Sequence, residues 1–269
     1  MRTVICHFYN EEYLLPWWLK HHRCIFDHGI MINHGSTDRS VEIIRDLTPT
    51  WQLVNSTLTH FDALLTDFEV MQYERHVSGW KIALNVTEFL MVSKPLPLIE
   101  KKITEMELKG FSLFGMIMVD ATPNTSYDKD IPLPLQCVHG IDDNDVQGID
   151  EREKIGLQEQ IYRNRFYHCD SDGQYMPGRH QSYHPHSHFR LREGMIFYFA
   201  NAPWNAEMKS RKLQIRSKIN TNEIYQNWGL KHLHSLEFYQ EEFLKLHAHS
   251  MDLRTHAYAG PAIKASCLY

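Results

Sequence analysis

TVICHFYNEEYLLPWWLKHH, residues 3–22, and FDHGIMINHGSTDRSVEIIRDL, residues 26–47, decide how this chain folds. Val4 to Phe8 is a short apolar run closed by the polar Tyr9-Asn10-Glu11-Glu12. From Tyr13 to His22, Leu14, Trp17, Trp18 and His21 recur at helical spacing. Pro16 falls in the first turn of that segment, where its missing N–H is tolerated. Ile30 to Ile32 is a second apolar run, followed directly by Asn33-His34-Gly35-Ser36-Thr37-Asp38-Arg39-Ser40. Ser36, Thr37 or Asp38 can cap a helix from about Ser40 to Leu47 with Val41, Ile44 and Leu47 on its inner face. Strands alternating with helices predict a parallel sheet, and such sheets bind ligands beyond the carboxyl ends of their strands. Both polar turns, Asn10-Glu11-Glu12 and Asn33 to Asp38, are expected on that rim.

These residues resemble the nucleotide-binding start of family-2-like glycosyltransferases of the GT-A fold, closely over residues 3–46 and onward to about Leu90. The family's strand-end motif commonly has acidic residues where this chain has Asn33 and His34; Gly35, Ser36 and Asp38 match it. The resemblance implies an α/β, GT-A-like fold with a mostly parallel sheet flanked by helices. It further implies transfer of a sugar from a nucleotide-sugar donor to a hydroxyl acceptor on a glycan, lipid-linked sugar or protein, with inversion. Asn10, Glu11, Asn33 and Asp38 would then hold the nucleoside, the Asn33 carbonyl accepting a pyrimidine N–H. The family's second frame, D-x-D-E-F at a strand end, holds a divalent metal, manganese or magnesium, on the donor diphosphate. Here it reads Asn85-Val86-Thr87-Glu88-Phe89, leaving Glu88 as its carboxylate and Asn85 beside the donor. Neutral Asn and Thr oxygens are weak partners for a hard cation, which leaves three readings: Glu88 with a distant His or Asp holds the metal, Arg or Lys meets the phosphates without one, or catalysis is lost.

Further along, Gly178 to His188 holds His180, His184, His186 and His188 within nine residues. In an extended segment His184, His186 and His188 share a face and could complete a metal site with Glu88; the other reading is a polar surface loop. Arg75, which ends the helical segment before the Glu88 strand, could anchor the diphosphate, because a guanidinium fork matches phosphate geometry. Sugar transfer needs a general base; of Asp120, Asp142, Asp143, Asp145, Asp170 and Asp172, the pair Asp170 and Asp172 is favoured by its nearness to the histidines, against a plain Asp-Ser-Asp-Gly turn. Lys209, Arg211, Lys212, Arg216 and Lys218 form a basic cluster, either a solvated helix face or a flap over phosphates.

The chain has 269 residues, 43% of them hydrophobic, with 28 basic against 33 acidic residues. That length can bury a large core in one domain, or one domain with an appendage; the resemblance implies a GT-A-like unit over 1–200, with a helical C-terminal portion over 201–269. The acidic balance argues against nucleic acid. No apolar run reaches the ~20 residues that span a bilayer, although contact with a membrane surface stays open. The five cysteines contain no Cys-x-x-Cys pair, and the start lacks a signal segment; both lead to the expectation of a cytoplasmic protein with reduced thiols. Two other readings compete: a metal-dependent hydrolase built on His180–His188, and a nucleotide-sugar-binding protein without catalysis.

Within the middle of the chain, Phe61, Leu64, Leu65 and Phe68 are read as the apolar face of a helix over His60–Val77. Phe189–Arg192 and Met195–Ala200 are read as a hairpin turning at Glu193-Gly194, and residues 205–247 as helical.

Overall fold

The computed structural model describes residues 1–143, 154, 163–219 and 233–266. The first third alternates as the sequence predicts: β1 (Arg2–Phe8), α1 (Leu15–His22), β2 (His28–Asn33), α2 (Ser40–Leu47), β3 (Gln52–Asn55), α3 (Ala63–Arg75) and β4 (Trp80–Ala83). There follow β5 (Glu88–Val92), α4 (Leu96–Glu105), β6 (Gly110–Val119), α5 (Leu133–Gln136), β7 (His139–Asp142), β8 (Arg165–His168) and β9 (Arg190–Tyr198). The C-terminal elements are α6 (Ala206–Gln214), α7 (Leu236–His249), the short β10 (Met251–Asp252) and α8 (Ala259–Ser266).

Among the described residues the sheet runs β10-β7-β6-β8-β4-β1-β2-β3, with β9 against β6 and β5 against β9. The four N-terminal strands are mutually parallel, so the fold is α/β as expected. Phe8 stands opposite Asn33, and Asn33 opposite Asn55, which brings the ends of β1, β2 and β3 level. β8 is antiparallel to both β4 and β6. β6 therefore runs with β4, β9 runs with β6, and all of these strands end on one carboxyl rim, where β8 begins at Arg165.

The core explains the tryptophan-rich first helix. Trp18 is fully buried, and its indole N–H donates to the Glu88 carbonyl at 2.9 Å, joining α1 to β5. Burying a large side chain of this kind contributes roughly 1.5–3 kcal/mol. Trp204, Met208, Tyr239, Phe243, Leu246, Leu253, Ala262 and Ile263 belong to the same core as the strands, so the C-terminal helices pack on the α/β layer. Among the described residues no helix is long and apolar enough to cross a membrane.

Two local expectations are corrected. β9 is one strand through Glu193-Gly194 rather than a hairpin. Gly194 is small there because a Cβ would lie 2.6 Å from the Leu113 side chain, not because the chain turns. α3 turns the other face inward: Leu64, Leu65 and Phe68 are exposed, while Asp67, Val70 and Glu74 are buried. Buried carboxylates with strong partners outweigh three apolar contacts on this helix. The described parts of the 205–247 stretch are α6, a 3-10 turn at Ile215–Lys218 and most of α7, all helical as expected; residues 220–232 lie outside the described residues.

Candidate functional site at the carboxyl rim

The two polar turns meet on the rim, as their placement in the sequence predicts. Asn10, at φ 50°, accepts Thr37 N–H through its side-chain oxygen at 2.8 Å, and its own N–H donates to Ser36 Oγ at 3.0 Å. Glu11 N–H donates to Ser40 Oγ at 2.8 Å and Glu12 N–H to Asp38 at 3.0 Å. Asp38 also accepts Ser40 N–H at 3.0 Å. The side chains of Asn10 and Asp38 thus tie one turn to the other. Asn33 is similarly engaged: its carbonyl accepts Ser36 N–H at 2.8 Å and its amide donates to Asn55 at 3.2 Å. That side-chain carbonyl shapes the turn with one of its two lone pairs. Glu11 is held by Arg211 of α6 through both carboxylate oxygens, at 2.5 Å from Nε and by a second bond from Nη2. Gln214 donates to the Asn10 carbonyl at 2.5 Å. Arg211 of the basic cluster thus fastens α6 to the first rim turn, while Lys209 and Lys212 lie over the Trp204 ring.

Beneath the turns, His34 is 2% exposed and neither ring nitrogen has a hydrogen-bond partner. Its ring centroid lies 5.0 Å from that of His7 and 6.3 Å from that of Tyr9. Burial, then the nearby His7 and Lys218, push its pKa down to about 4, so near neutrality the ring carries one N–H donor and one acceptor. Glu69 accepts Ser56 Oγ at 2.6 Å, Thr57 N–H at 2.7 Å and Thr57 Oγ at 2.8 Å. Burial alone would raise this carboxyl, but hydrogen bonds from His7, Ser56 and Thr57 hold it down to about 2. A carboxylate depressed on folding stabilises above its ordinary value, 4.5 here, and loses that contribution as pH falls toward 2. Glu69→Gln is therefore expected to cost about 1–3 kcal/mol at pH 7. The gap to wild type should narrow by pH 3, measured by denaturant unfolding at both pH values.

Beyond the end of β4, at the first residue of β5, Glu88 is 1% exposed and closed off. Arg165 grips both its oxygens, with Nε at 2.7 Å, and Asn85 donates to them from its backbone N at 2.8 Å and its amide at 3.2 Å. Asn85 in turn accepts from Arg179 at 2.6 Å. Arg179 also binds Asp67 of α3, and both are buried. Arg179 arrives on a hairpin that spans residues 170–188, paired at Tyr175 and Ser182. Its tip is Gly178 and Arg179, at φ 89° and 60°. His180, next to the tip, meets Arg165 at 2.8 Å.

The base of that hairpin lies at the opposite, amino edge of the sheet. Cys169 N–H donates to the Lys109 carbonyl at 2.8 Å just before β6 begins. There Asp170 meets His184 at 3.2 Å and Lys109 at 3.2 Å. Arg75 donates to Asp172 at 2.7 Å. His186 Nδ1 accepts Lys109 N–H at 2.8 Å. The catalytic reading of Asp170 and Asp172, the diphosphate reading of Arg75 and the metal reading of His184 and His186 are corrected by position. These side chains sit across the sheet from Asn10, Asn33, Asp38, Asn85 and Glu88. Nor do the histidines share an extended face, because residues 184–187 form a turn in which Ser187 N–H donates to the His184 carbonyl at 2.9 Å. Of the other acids read as bases, Asp120 reaches the rim at the end of β6 but is fully buried, accepting the Tyr127 hydroxyl at 2.9 Å and Trp204 N–H. Asp145 lies outside the described residues.

The residues at the end of β4 do not fit the expected divalent metal. Both Glu88 oxygens are committed to Arg165 and Asn85, and Thr87 and Asn85 offer no charge. Among the described residues no group of three or more His, Cys, Asp or Glu side chains is placed to hold a metal ion. The sequence reading missed Arg165, Arg179, Asp67 and Glu69. Asp67 and Glu69 carried one signal, acids set within a helix whose periodicity is weak.

No protein-family model matches the chain, and no curated protein matches it. Parts of solved structures do. Glucosyl-3-phosphoglycerate synthase of Mycobacterium tuberculosis, solved with phosphoglyceric acid, is 14% identical over 43% of this chain and 44% of its own, with a TM-score of 0.32. Staphylococcus aureus TarS, residues 1–349 with UDP-GlcNAc, is 15% identical over 47% of this chain and 36% of its own, at 0.30. HddC of Yersinia pseudotuberculosis is 11% identical over 45% of this chain and 60% of its own, at 0.28. The chain thus spans under half the length of the mycobacterial synthase it matches.

Proposed function

We propose that this protein binds a nucleotide-sugar along the carboxyl rim and transfers the sugar, with inversion, to a hydroxyl acceptor. The observation that carries this reading is a set of buried polar atoms without partners on that rim. They are both ring nitrogens of His34 at the end of β2, Arg179 Nε beside β4, Asn164 Oδ1 before β8 and Asn201 Oδ1 beyond β9. Leaving such a group unpaired costs about 1–3 kcal/mol, a cost that a polar ligand at the strand ends would offset. The sequence resemblance names the ligand class; the stitched turns at Asn10 and Asp38 supply the expected frame. In the transfer step the acceptor oxygen attacks the anomeric carbon, the nucleoside diphosphate leaves with the bonding pair, and the acceptor proton passes to a base. Binding without transfer is the second reading, favoured by the closed state of Glu88.

The test is a thermal-shift panel of nucleotides and nucleotide-sugars followed by calorimetry and a transfer assay. Stabilisation by a nucleotide-sugar is expected, by mass action on the folded state. Asp38→Ala, which unties the two turns, should weaken binding about ten- to a hundredfold. Asp170→Asn, across the sheet, should leave affinity within about twofold. Equal losses in both variants would remove the rim from consideration. Binding with neither transfer nor donor hydrolysis would select the second reading.

A further inference from the structure

The end of β4, where the resemblance calls for a cation, is already neutralised from within. Arg165 cancels Glu88, and Arg179 cancels Asp67. What the rim does carry is a cation of its own at the neighbouring strand end. Lys218 closes the 3-10 turn after α6, and its ammonium lies 5.0 Å from the Tyr9 ring centroid. It stands 3.6 Å from where a Cβ would sit on Gly35, whose φ of 71° disfavours any side chain. Among the described residues no carboxylate pairs with Lys218. Its position is fixed by the chain around it: Phe61 N–H donates to the Lys218 carbonyl at 2.6 Å, and Gln214 and Arg211 fasten α6 to the first rim turn.

Lys218 also does not stand alone. The unpartnered His34 follows Tyr9 across the rim, its ring 6.3 Å from the Tyr9 ring that Lys218 faces, and His7 lies 5.0 Å from His34. Lysine and imidazole thus stand together at the end of β2. Glu69, the acid in this layer, is already engaged by Ser56 and Thr57. An anion placed above Gly35 would meet the Lys218 ammonium first, while the ionised Glu69 stays bonded to His7, Ser56 and Thr57.

We propose that the diphosphate of the donor is bound here without a divalent metal, its charge met by Lys218 with His34 as a donor. This inference rests on the proposed function, because it specifies how that ligand's anionic half is held. It also places the basic segment after α6 as part of the binding site, with the ammonium as a point charge suited to phosphate.

The experiment is calorimetry on the full chain with UDP and GDP as probes, in excess EDTA and in manganese chloride. The expected result is binding of at least one nucleotide in EDTA with a Kd within about threefold of that in manganese. Lys218→Gln should weaken it about tenfold or more in both conditions, and Lys218→Arg should recover most of the loss. Circular dichroism of each variant confirms the fold. Binding that appears only with manganese overturns the inference and leaves the proposed function standing. So does unchanged affinity in Lys218→Gln. No binding of either nucleotide in either condition overturns the inference together with the reading it rests on.

Discussion

Glu88→Gln is expected to lower the stability of the protein by about 3–5 kcal/mol, and its melting temperature by on the order of 10 °C. Glu88 and Arg165 are each 1% exposed at the side chain. Their charges were removed from water together, and the attraction between them, with Asn85 completing the carboxylate, offsets the desolvation. Glutamine keeps the volume but presents an amide N–H₂ to a guanidinium and leaves that cation buried with no counter-charge. The loss should therefore exceed that of a surface ion pair, about 0–1 kcal/mol. Replacing both partners, as in Glu88→Gln with Arg165→Met, should return much of the stability, since an uncharged buried pair carries no such penalty. Denaturant and thermal unfolding of the three variants measure this. A metal-holding Glu88 predicts the opposite pattern: a variant as stable as wild type with a changed manganese response. A shift below about 1 °C in Glu88→Gln would sink the ion-pair account.

How far the sequence revealed this site follows from the range of the interactions that build it. The rim turns were legible because their information is local. Apolar runs ending in Asn10-Glu11-Glu12 and Asn33 to Asp38 are short segments, and parallel pairing of β1 with β2 then brings them together. Glu88 was legible as a remnant of a motif, but its role was not, because Arg165 lies 77 residues away in sequence. Nothing near Arg165 distinguishes it from an exposed arginine until β8 is known to begin at the rim. The histidine run misled for a related reason. A hairpin over 170–188 carries His180 to the rim and leaves His184 and His186 at the far edge, so closeness along the chain was separated by the width of the sheet. α3 misled through periodicity: its carboxylates find Arg179, His168, Tyr175, Ser56 and Thr57, and partners of that strength invert the face that apolar spacing predicts.

The second large effect is expected at the join between α3 and the hairpin. Asp67 is 2% exposed and Arg179 5%, and the Asp67 carboxylate also accepts Gly178 N–H at 2.6 Å. Those contacts hold Arg179 at φ 60°, a left-handed conformation that costs a non-glycine residue roughly 1–3 kcal/mol unless its surroundings enforce it. Asp67→Asn removes the charge facing the guanidinium and so releases both constraints, at an expected cost of about 3–5 kcal/mol. The consequence should travel, because Arg179 binds Asn85, Asn85 binds Glu88, and Glu88 binds Arg165. Charges linked this way are coupled rather than independent. The double variant Asp67→Asn with Glu88→Gln should then depart from the sum of the single losses by about 0.5–3 kcal/mol. Nucleotide affinity should fall with the same substitution, since the hairpin tip that carries Arg179 Nε to the rim loses its anchor. Additive single losses would show two separate ion pairs that share a neighbourhood. A stable Asp67→Asn with full nucleotide affinity would remove the hairpin from the site.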